Sequence, residues 1–482
     1  LIMSFLGLIL LFFVVKSLEL KAPDDYLITN LPLYNGTFSD IPFKQYSGYM
    51  PLGDVDESAY FFWLVLSQNN PTTDPISLWL NGGPGSSSVA YGFWTEHGPF
   101  RLQPEAKGVN DYEYSWNRIS SVVYVESPSG VGFSYSNKST GYNCTDEKSA
   151  LNNYLFLKNF FTVFADIFPN QDIYLTGESY GGHYIPQLAN QIITENPSWI
   201  DRVKGFWIGN PGINSDWYYN VNEYAFLTYL WSHALLPQTA WVPANEKCGW
   251  DEFLTNCTKD FTHPNTACRT AGESAWKYVP STWDPYNIYA PTCHNRVEYN
   301  DSNYKFGRLN HKDFIKEYTP WLEHKRKEYG INTEYVYNPC MDNWTPEYMN
   351  RQDVLEAVHV SSHYTRKWPS HPSGWHYGSE KEDIALLFPT FFSKEPNWKI
   401  SVVSGDADAA VPFIGSQRWI ECLGRSVKKD WYNWYMNQDV AGSVKIYDGI
   451  TFQTIKDCGH TIPTYCPQQG FIMFNQYITG NY

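Results

Sequence analysis

The sequence predicts an α/β protein with a mostly parallel central sheet, helices on both faces, and a disulfide-rich insertion. Three observations carry this. Short apolar runs rich in β-branched and aromatic residues alternate with stretches of helical period through residues 18–210. The alternation then stops across residues 211–340, which hold five of the nine cysteines, and it resumes over residues 341–482.

In chain order, residues 1–15 form an uncharged apolar run followed by Lys16 and Ser17. The run is shorter than the ~20 residues a membrane helix needs, so residues 1–17 read as a signal peptide. Runs 76–80, 121–125, 173–176 and 203–208 each end in Gly, Pro or Asn turn residues, as buried strands do. Between the second and third, residues 147–165 place Leu151, Tyr154, Leu155, Phe161 and Phe164 at helical spacing, and residues 184–193 supply a second helix after the third strand. These elements make up the N-terminal part of the core, 18–210. Residues 211–340 show no regular alternation and many Trp and Tyr, and read as a cap stapled by disulfides. The C-terminal part of the core, 341–482, contains a predicted helix at 347–360, a strand at 398–403 and final strands at 444–447 and 452–455. No repeat or low-complexity linker divides the chain.

Composition narrows the class of function. With 482 residues and 43% hydrophobic content the chain can bury a large core. A formal net charge of -15 has the wrong sign for a phosphate-backbone reader, so nucleic acid is not an expected partner. No later stretch is long and apolar enough to span a bilayer. An exported chain would pair most of Cys144, Cys248, Cys257, Cys268, Cys293, Cys340, Cys422, Cys458 and Cys466, leaving one over. Asn35, Asn137, Asn143, Asn256, Asn300 and Asn343 each open an Asn-x-Ser/Thr triplet, the acceptor pattern of a glycosylated secretory or lysosomal protein. No Cys-x-x-Cys pair is present, and His363, His371 and His376 fall in a Ser/Pro/Gly-rich loop without ligand spacing, so neither metal nor cofactor is expected. The 18% aromatic content is read mainly as core and cap packing.

Chemistry concentrates in three segments. Gly177-Glu178-Ser179-Tyr180-Gly181 is a Gly-x-Ser-x-Gly between a predicted strand and a predicted helix. A nucleophile elbow needs small neighbours because its backbone is strained and its hydroxyl must project from the strand end. A serine hydroxyl also needs a base, and the base an orienting acid. Asp406 and Asp408 follow the strand at 398–403, and His460 follows the strand at 452–455. Ser, then Asp or Asp, then His is the order of the α/β-hydrolase arrangement. The third segment, 79–88, carries consecutive glycines after the first buried strand, making the Gly83 and Tyr180 N–H groups candidates for an oxyanion hole.

Six motifs, WLNGGPGSSS (79–88), ESPSGVGFSY (126–135), GESYGGHYIP (177–186), IGNPGINSDW (208–217), SGDADAAVP (404–412) and CGHTIP (458–463), together resemble the serine carboxypeptidases from about residue 42 to the C-terminus. The resemblance implies an α/β-hydrolase fold and a lysosomal, vacuolar or secreted enzyme that releases single C-terminal amino acids at acidic pH. It implies a catalytic triad of Ser179, Asp408 and His460, taking Asp408 over Asp406. It also assigns Asn81, Glu96 and Glu178, with Trp79 beside them, to the peptide's terminal carboxylate. Carboxyls this close to one another and to a substrate carboxylate cannot all be ionised, so at least one is expected to be protonated and to donate a hydrogen bond.

One departure from the family pattern concerns the cysteines. Ser86 stands where the family usually has a Cys that pairs with the position of Cys340, leaving Cys340 free or paired with another thiol and the tie from cap to core in doubt. Cys458 and Cys466 bracket His460 and are candidates for a local bridge. The expected partners are peptide or protein C-termini, with a homodimer possible. The alternatives are an acyltransferase using the same triad, a general lipase or esterase, and a non-catalytic protective or binding protein. Acyltransferase relatives tend to replace the carboxylate-recognition residues, which are retained here as Asn81 and Glu178.

Overall fold

The computed structural model describes residues 20–213, 217–250, 257, 265–279, 283–293, 337–362, 364–378 and 383–482. The expected signal peptide, Asn256, Asn300, His363 and residues 294–336 of the expected cap lie outside the described residues.

Ten strands form the path of one sheet: β1 (Gln45–Pro51), β2 (Ser58–Val65), β3 (Ile76–Leu80), β4 (Ser121–Val125), β5 (Ile173–Glu178), β6 (Val203–Gly209), β7 (Lys399–Gly405), β8 (Val427–Met436), β9 (Asp439–Tyr447) and β10 (Ile450–Ile455). Their spatial order is β1-β2-β4-β3-β5-β6-β7-β10-β9-β8, and Tyr135–Ser136 pairs on the side of β2. The six central strands from β4 to β10 are parallel, and the pairs at each end are antiparallel. This is the architecture expected of an α/β-hydrolase sheet.

The sheet is buried on both faces because its strands alternate between two apolar sets. Phe62 and Leu64 of β2, Leu78 of β3 and Leu175 of β5 pack with α1 (Asp146–Val163) and α2 (Gly181–Glu195). Phe61, Trp63, Trp79, Tyr124 and Trp207 pack on the opposite face with the C-terminal helix Pro467–Thr479. On that face Trp116 stacks on Phe474 at 3.9 Å. Helix α1 starts where Thr145 caps it: the Thr145 hydroxyl accepts from the Lys148 N–H at 3.2 Å, and Asp146 and Glu147 meet the positive end of the helix dipole. Helix α2 stops at Asn196, which takes the left-handed conformation (φ 47°).

Several elements differ from the sequence expectation. The region 347–360 is two short helices, Trp344–Met349 and Gln352–Ala357. Asn350 breaks them apart: its amide donates to the Pro346 and Trp368 carbonyls and its side-chain oxygen accepts from the Trp368 N–H. The strand expected at 444–447 is the end of the longer β9. Among the described residues of 211–340 the regular elements are three helices, α3 (Trp217–Ser232), α4 (Gln238–Cys248) and α5 (Thr266–Trp276), while residues 283–293 run through turns and bends. Leu227, Leu230, Trp250 and Ala275 form an apolar cluster of their own, which meets the core at Ala409.

Eight cysteines pair as Cys248–Cys268, Cys257–Cys422, Cys293–Cys340 and Cys458–Cys466. Cys340 is therefore repaired with Cys293, and Cys257–Cys422 ties the insertion to the core helix Phe413–Cys422. The cysteine left over is Cys144, which is buried.

The aromatic packing of α1 on β2 predicts a sensitive position. Phe62 is fully buried and its ring meets Tyr26, Phe156, Phe160 and Phe164 at 5.3 to 5.9 Å. Replacing it with alanine removes these contacts and leaves a cavity, so Phe62→Ala is expected to lower stability by about 3–5 kcal/mol in denaturant unfolding.

Candidate active site

The nucleophile position is built by close backbone approach at the end of β5. Ser179 sits at φ 57°, a left-handed conformation that costs a non-glycine residue energy and is held only by its surroundings. Its N–H donates to the Gly209 carbonyl at 2.9 Å, and its own carbonyl accepts from the Gly182 and Gly212 N–H groups at 2.9 and 3.0 Å. The flanking glycines leave no room for a side chain. A Cβ at Gly177 would lie 2.7 Å from the Leu80 carbonyl oxygen, and one at Gly182 would lie 2.4 Å from that of Gly212. A Cβ at Gly82 would come within 2.3 Å of the Tyr180 nitrogen, so the loop after β3 is pressed against the elbow itself. Gly83, at φ 110°, lines the same cavity as Ser179. Tyr180 opens α2, whose amino end carries the positive pole of the helix dipole.

The candidate acid and base arrive on neighbouring parallel strands. Gly405 at the end of β7 is in register with Ile455 at the end of β10, and the loops that follow are tied by Asp406 N–H to Ile455 and Ala407 N–H to Cys458. This places His460 Nδ1 2.7 Å from Asp408 Oδ2, both side chains being buried. The other Asp408 oxygen accepts from the Ala410 and Val411 N–H groups at 2.8 and 3.1 Å, which fixes the carboxylate. Between the two aspartates the geometry puts Asp408 on the imidazole. Asp406 is held differently, with its backbone carbonyl accepting from the Tyr229 hydroxyl. Ser179 and His460 line one cavity of about 210 Å³.

Two supports of this arrangement had been given no role by the sequence. Asn210, fully buried at the end of β6, donates its side-chain N–H to the His460 carbonyl and accepts from the Gly405 N–H at 2.9 Å, so one amide pins both loops. The available signal was an Asn closing a buried strand before a proline. Tyr286, from the insertion, accepts the His460 N–H on its carbonyl at 2.7 Å and lays its ring 5.0 Å from the imidazole. The Cys458–Cys466 bridge brackets the same turn.

Beside the serine lies a buried amide–carboxyl cluster. The Asn81 side-chain N–H₂ donates to Glu96 Oε1 and Glu178 Oε1, each at 2.8 Å. Its orientation is set from behind, because Asn81 Oδ1 accepts from Trp79 Nε1 at 2.6 Å and from the Gly92 N–H at 3.0 Å. Trp79 thus belongs to the core and holds Asn81, while Asn81 and Glu178 face the cavity. Burial pushes the Glu178 carboxyl well above the ordinary range, and the charge of Glu96 pushes it further. Burial also raises Glu96, against the opposing effect of the Asn81 hydrogen bond. Two carboxyls bridged by one amide in a dry site therefore retain a proton where isolated ones would have lost it.

Other candidate residues stand apart from this cavity. Asn35, Asn137, Asn143 and Asn343 are exposed. Among the described residues no group of three or more His, Cys, Asp or Glu side chains is placed to hold a metal ion, and no helix is long and apolar enough to cross a membrane.

Comparison with known proteins shows the family of the chain. The serine carboxypeptidase family pattern matches residues 35–480. Serine carboxypeptidase-like 27 of Arabidopsis thaliana is 32% identical over 492 aligned residues, covering 98% of this chain and 98% of that protein. Serine carboxypeptidase 24 of the same plant is 31% identical over 447 residues, covering 91% and 90%. The crystal structure of Kex1(delta)p, a prohormone-processing carboxypeptidase from Saccharomyces cerevisiae, shares the fold with a TM-score of 0.70 over 96% of this chain and 97% of that one, at 21% identity. With nearly its whole length matched, the chain belongs to the serine carboxypeptidase family.

Proposed function

We propose that this protein is a serine carboxypeptidase that releases single amino acids from peptide C-termini at acidic pH through an acyl-enzyme. The observation that carries the reading is the buried Asn81–Glu96–Glu178 cluster opening into the cavity that holds Ser179 and His460. A plain esterase has no use for paired acids there, whereas a C-terminal carboxylate needs donors that carry no negative charge.

In this reading the Asn81 amide and a protonated carboxyl of the Glu96–Glu178 pair hold the substrate's terminal carboxylate, which places the last peptide bond at Ser179. His460 takes the Ser179 proton as the hydroxyl attacks the carbonyl carbon, with Asp408 holding the ring through Nδ1 and stabilising its positive charge. The Gly83 and Tyr180 N–H groups stabilise the oxyanion, each such donor being worth on the order of 3 kcal/mol of barrier. His460 then protonates the leaving amine. The released amino acid departs, water enters, and His460 takes a proton from it as it attacks the acyl-Ser179 ester, then returns that proton to the Ser179 oxygen as the shortened peptide is freed. Four disulfides support folding in an oxidising compartment, and the exposed Asn35, Asn137, Asn143 and Asn343 are accessible to glycosylation there.

Two outcomes follow. Ser179→Ala is expected to reduce amino-acid release from an N-blocked dipeptide by about 10⁴-fold or more, and release at the wild-type rate excludes the acyl-enzyme route. The carboxyl cluster predicts a direction with pH. Its raised values keep a carboxyl neutral in acid, and as pH rises through the coupled titration the pair ionises and repels the substrate carboxylate. The Michaelis constant for a free peptide should therefore climb between about pH 4 and pH 8, while that for the matching C-terminal amide stays high and flat. A flat profile for the free peptide contradicts the assignment.

A further inference from the structure

Another buried carboxyl, Asp146, stands behind the elbow and does not line the cavity. It opens α1, but Thr145 already caps that helix, so the helix start does not account for an acid with no solvent exposure. Donors gather on it. The Tyr180 hydroxyl donates to Asp146 Oδ1 at 3.0 Å, the Tyr377 hydroxyl donates to the same oxygen at 2.6 Å, and His183 Nδ1 stands 3.4 Å from Oδ2. Tyr377 is brought there by a two-stranded parallel sheet in which it pairs with Cys144, two residues before Asp146. The His183 imidazole stacks on the Tyr180 ring at 4.3 Å with 5° between the planes, so that ring is held on its face as well as at its hydroxyl.

The residue held in this way is part of the elbow. Tyr180 follows Ser179 and its N–H is one candidate oxyanion donor, and a side chain fixed at both ring and hydroxyl leaves its backbone little freedom. The same hydrogen bonds reach the other candidate donor through α2. Tyr184 lies one turn beyond Tyr180, its hydroxyl shares a hydrogen bond with that of Tyr377, and it accepts the Gly85 N–H at 3.2 Å. Gly85 is two residues from Gly83, and their loop is pressed against the Tyr180 nitrogen at Gly82. Asp146 thus stands where hydrogen bonds to both halves of the hole meet. Donors stabilise an oxyanion only when they are already aimed as its charge develops. Here one donor follows a strained turn and the other belongs to a glycine-rich loop, so each needs support from outside its own segment.

We propose that Asp146 is a positioning residue for the oxyanion hole, acting through the hydroxyls of Tyr180 and Tyr377. This rests on the acyl-enzyme mechanism proposed above and adds to it the group that aims its two backbone donors.

Tyr180→Phe and Tyr377→Phe each remove one hydroxyl and keep the ring, while Asp146→Ala removes the acceptor. Acylation and deacylation both pass through an oxyanion, so kcat for an N-blocked dipeptide is expected to fall about tenfold in either Phe variant and about a hundredfold in Asp146→Ala. KM should stay within about twofold of wild type, because the substrate's terminal carboxylate is held elsewhere. Asp146→Asn keeps an oxygen that accepts from both hydroxyls and should recover most of the loss. Each kcat is taken per folded molecule, measured by urea unfolding, and the Phe variants carry the test if Asp146→Ala does not fold. An N-blocked amino-acid aldehyde reads the same donors without a leaving group: its carbonyl carbon bonds Ser179 Oγ, the serine proton passes to His460, and the carbonyl oxygen takes the hole. Its inhibition constant should rise by the factors by which kcat falls. Unchanged kcat in both Phe variants, a loss seen in KM alone, an aldehyde constant that does not move, or equal damage from Asp146→Ala and Asp146→Asn overturns the proposal. Should the variants weaken aldehyde binding while the wild type releases no amino acid from any peptide, the carboxypeptidase reading fails and the positioning role stands.

Discussion

The parallel register of five adjacent strands, β3, β5, β6, β7 and β10, is the constraint on which the site depends. Because they run the same way, their carboxyl ends open onto one edge of the sheet, and the residues that follow those ends are Asn81, Ser179, Asn210, Asp408 and His460. Chain separation is immaterial once the register is set: Asn210 bonds the backbone of His460 from 250 positions away. The same edge explains the glycines. Loops converging there approach so closely that a Cβ at Gly82, Gly177 or Gly182 would overlap a neighbouring backbone. The left-handed turn at Ser179 is strained in isolation and is held by the three backbone hydrogen bonds that this crowding permits.

Electrostatics then divides the cavity into two kinds of carboxyl. Asp408 is surrounded by donors, two backbone N–H groups and the imidazole, and so is held as an acceptor. Glu96 and Glu178 share the Asn81 amide and a hydrogen bond with each other, so burial and mutual repulsion favour the protonated form of Glu178. Acids that follow or end β5 and β7, with only β6 between them, thus stand in opposite surroundings, one among hydrogen-bond donors and the other beside a second carboxyl. The insertion contributes through Tyr286, whose carbonyl and ring both meet His460. Its attachment at Cys257–Cys422 lies on the core helix that follows Asp408.

How much of this was legible in the sequence depended on what kind of contact shaped each segment. Strands β3 and β4 were read to the residue because a parallel strand buried on both faces is an uninterrupted apolar run. Strand β8 was missed because it is mostly exposed, and Lys428, Lys429, Asp430 and Asn433 give it the look of a loop. The break in the helix at 347–360 comes from a hydrogen bond between Asn350 and Trp368, which no local pattern announces. The segments around Ser179, Asp408 and His460 could be singled out because strained turns demand particular residues at fixed spacing. The choice between Asp406 and Asp408 rested on family resemblance. Asn210 went unassigned because its role exists only after β6, β7 and β10 lie side by side. The cysteine pairing was also beyond reach: connectivity follows the three-dimensional path, which joined Cys340 to Cys293 and left Cys144 buried and unpaired.

The central claim is that the hydroxyl of Ser179 is activated by His460 within this cavity. Labelling the folded protein with a fluorophosphonate and mapping the adduct by peptide mass spectrometry tests it most directly. The account predicts one adduct, on Ser179, formed in wild type and lost in His460→Ala. An adduct on another residue, or no labelling of the folded wild-type protein, contradicts it.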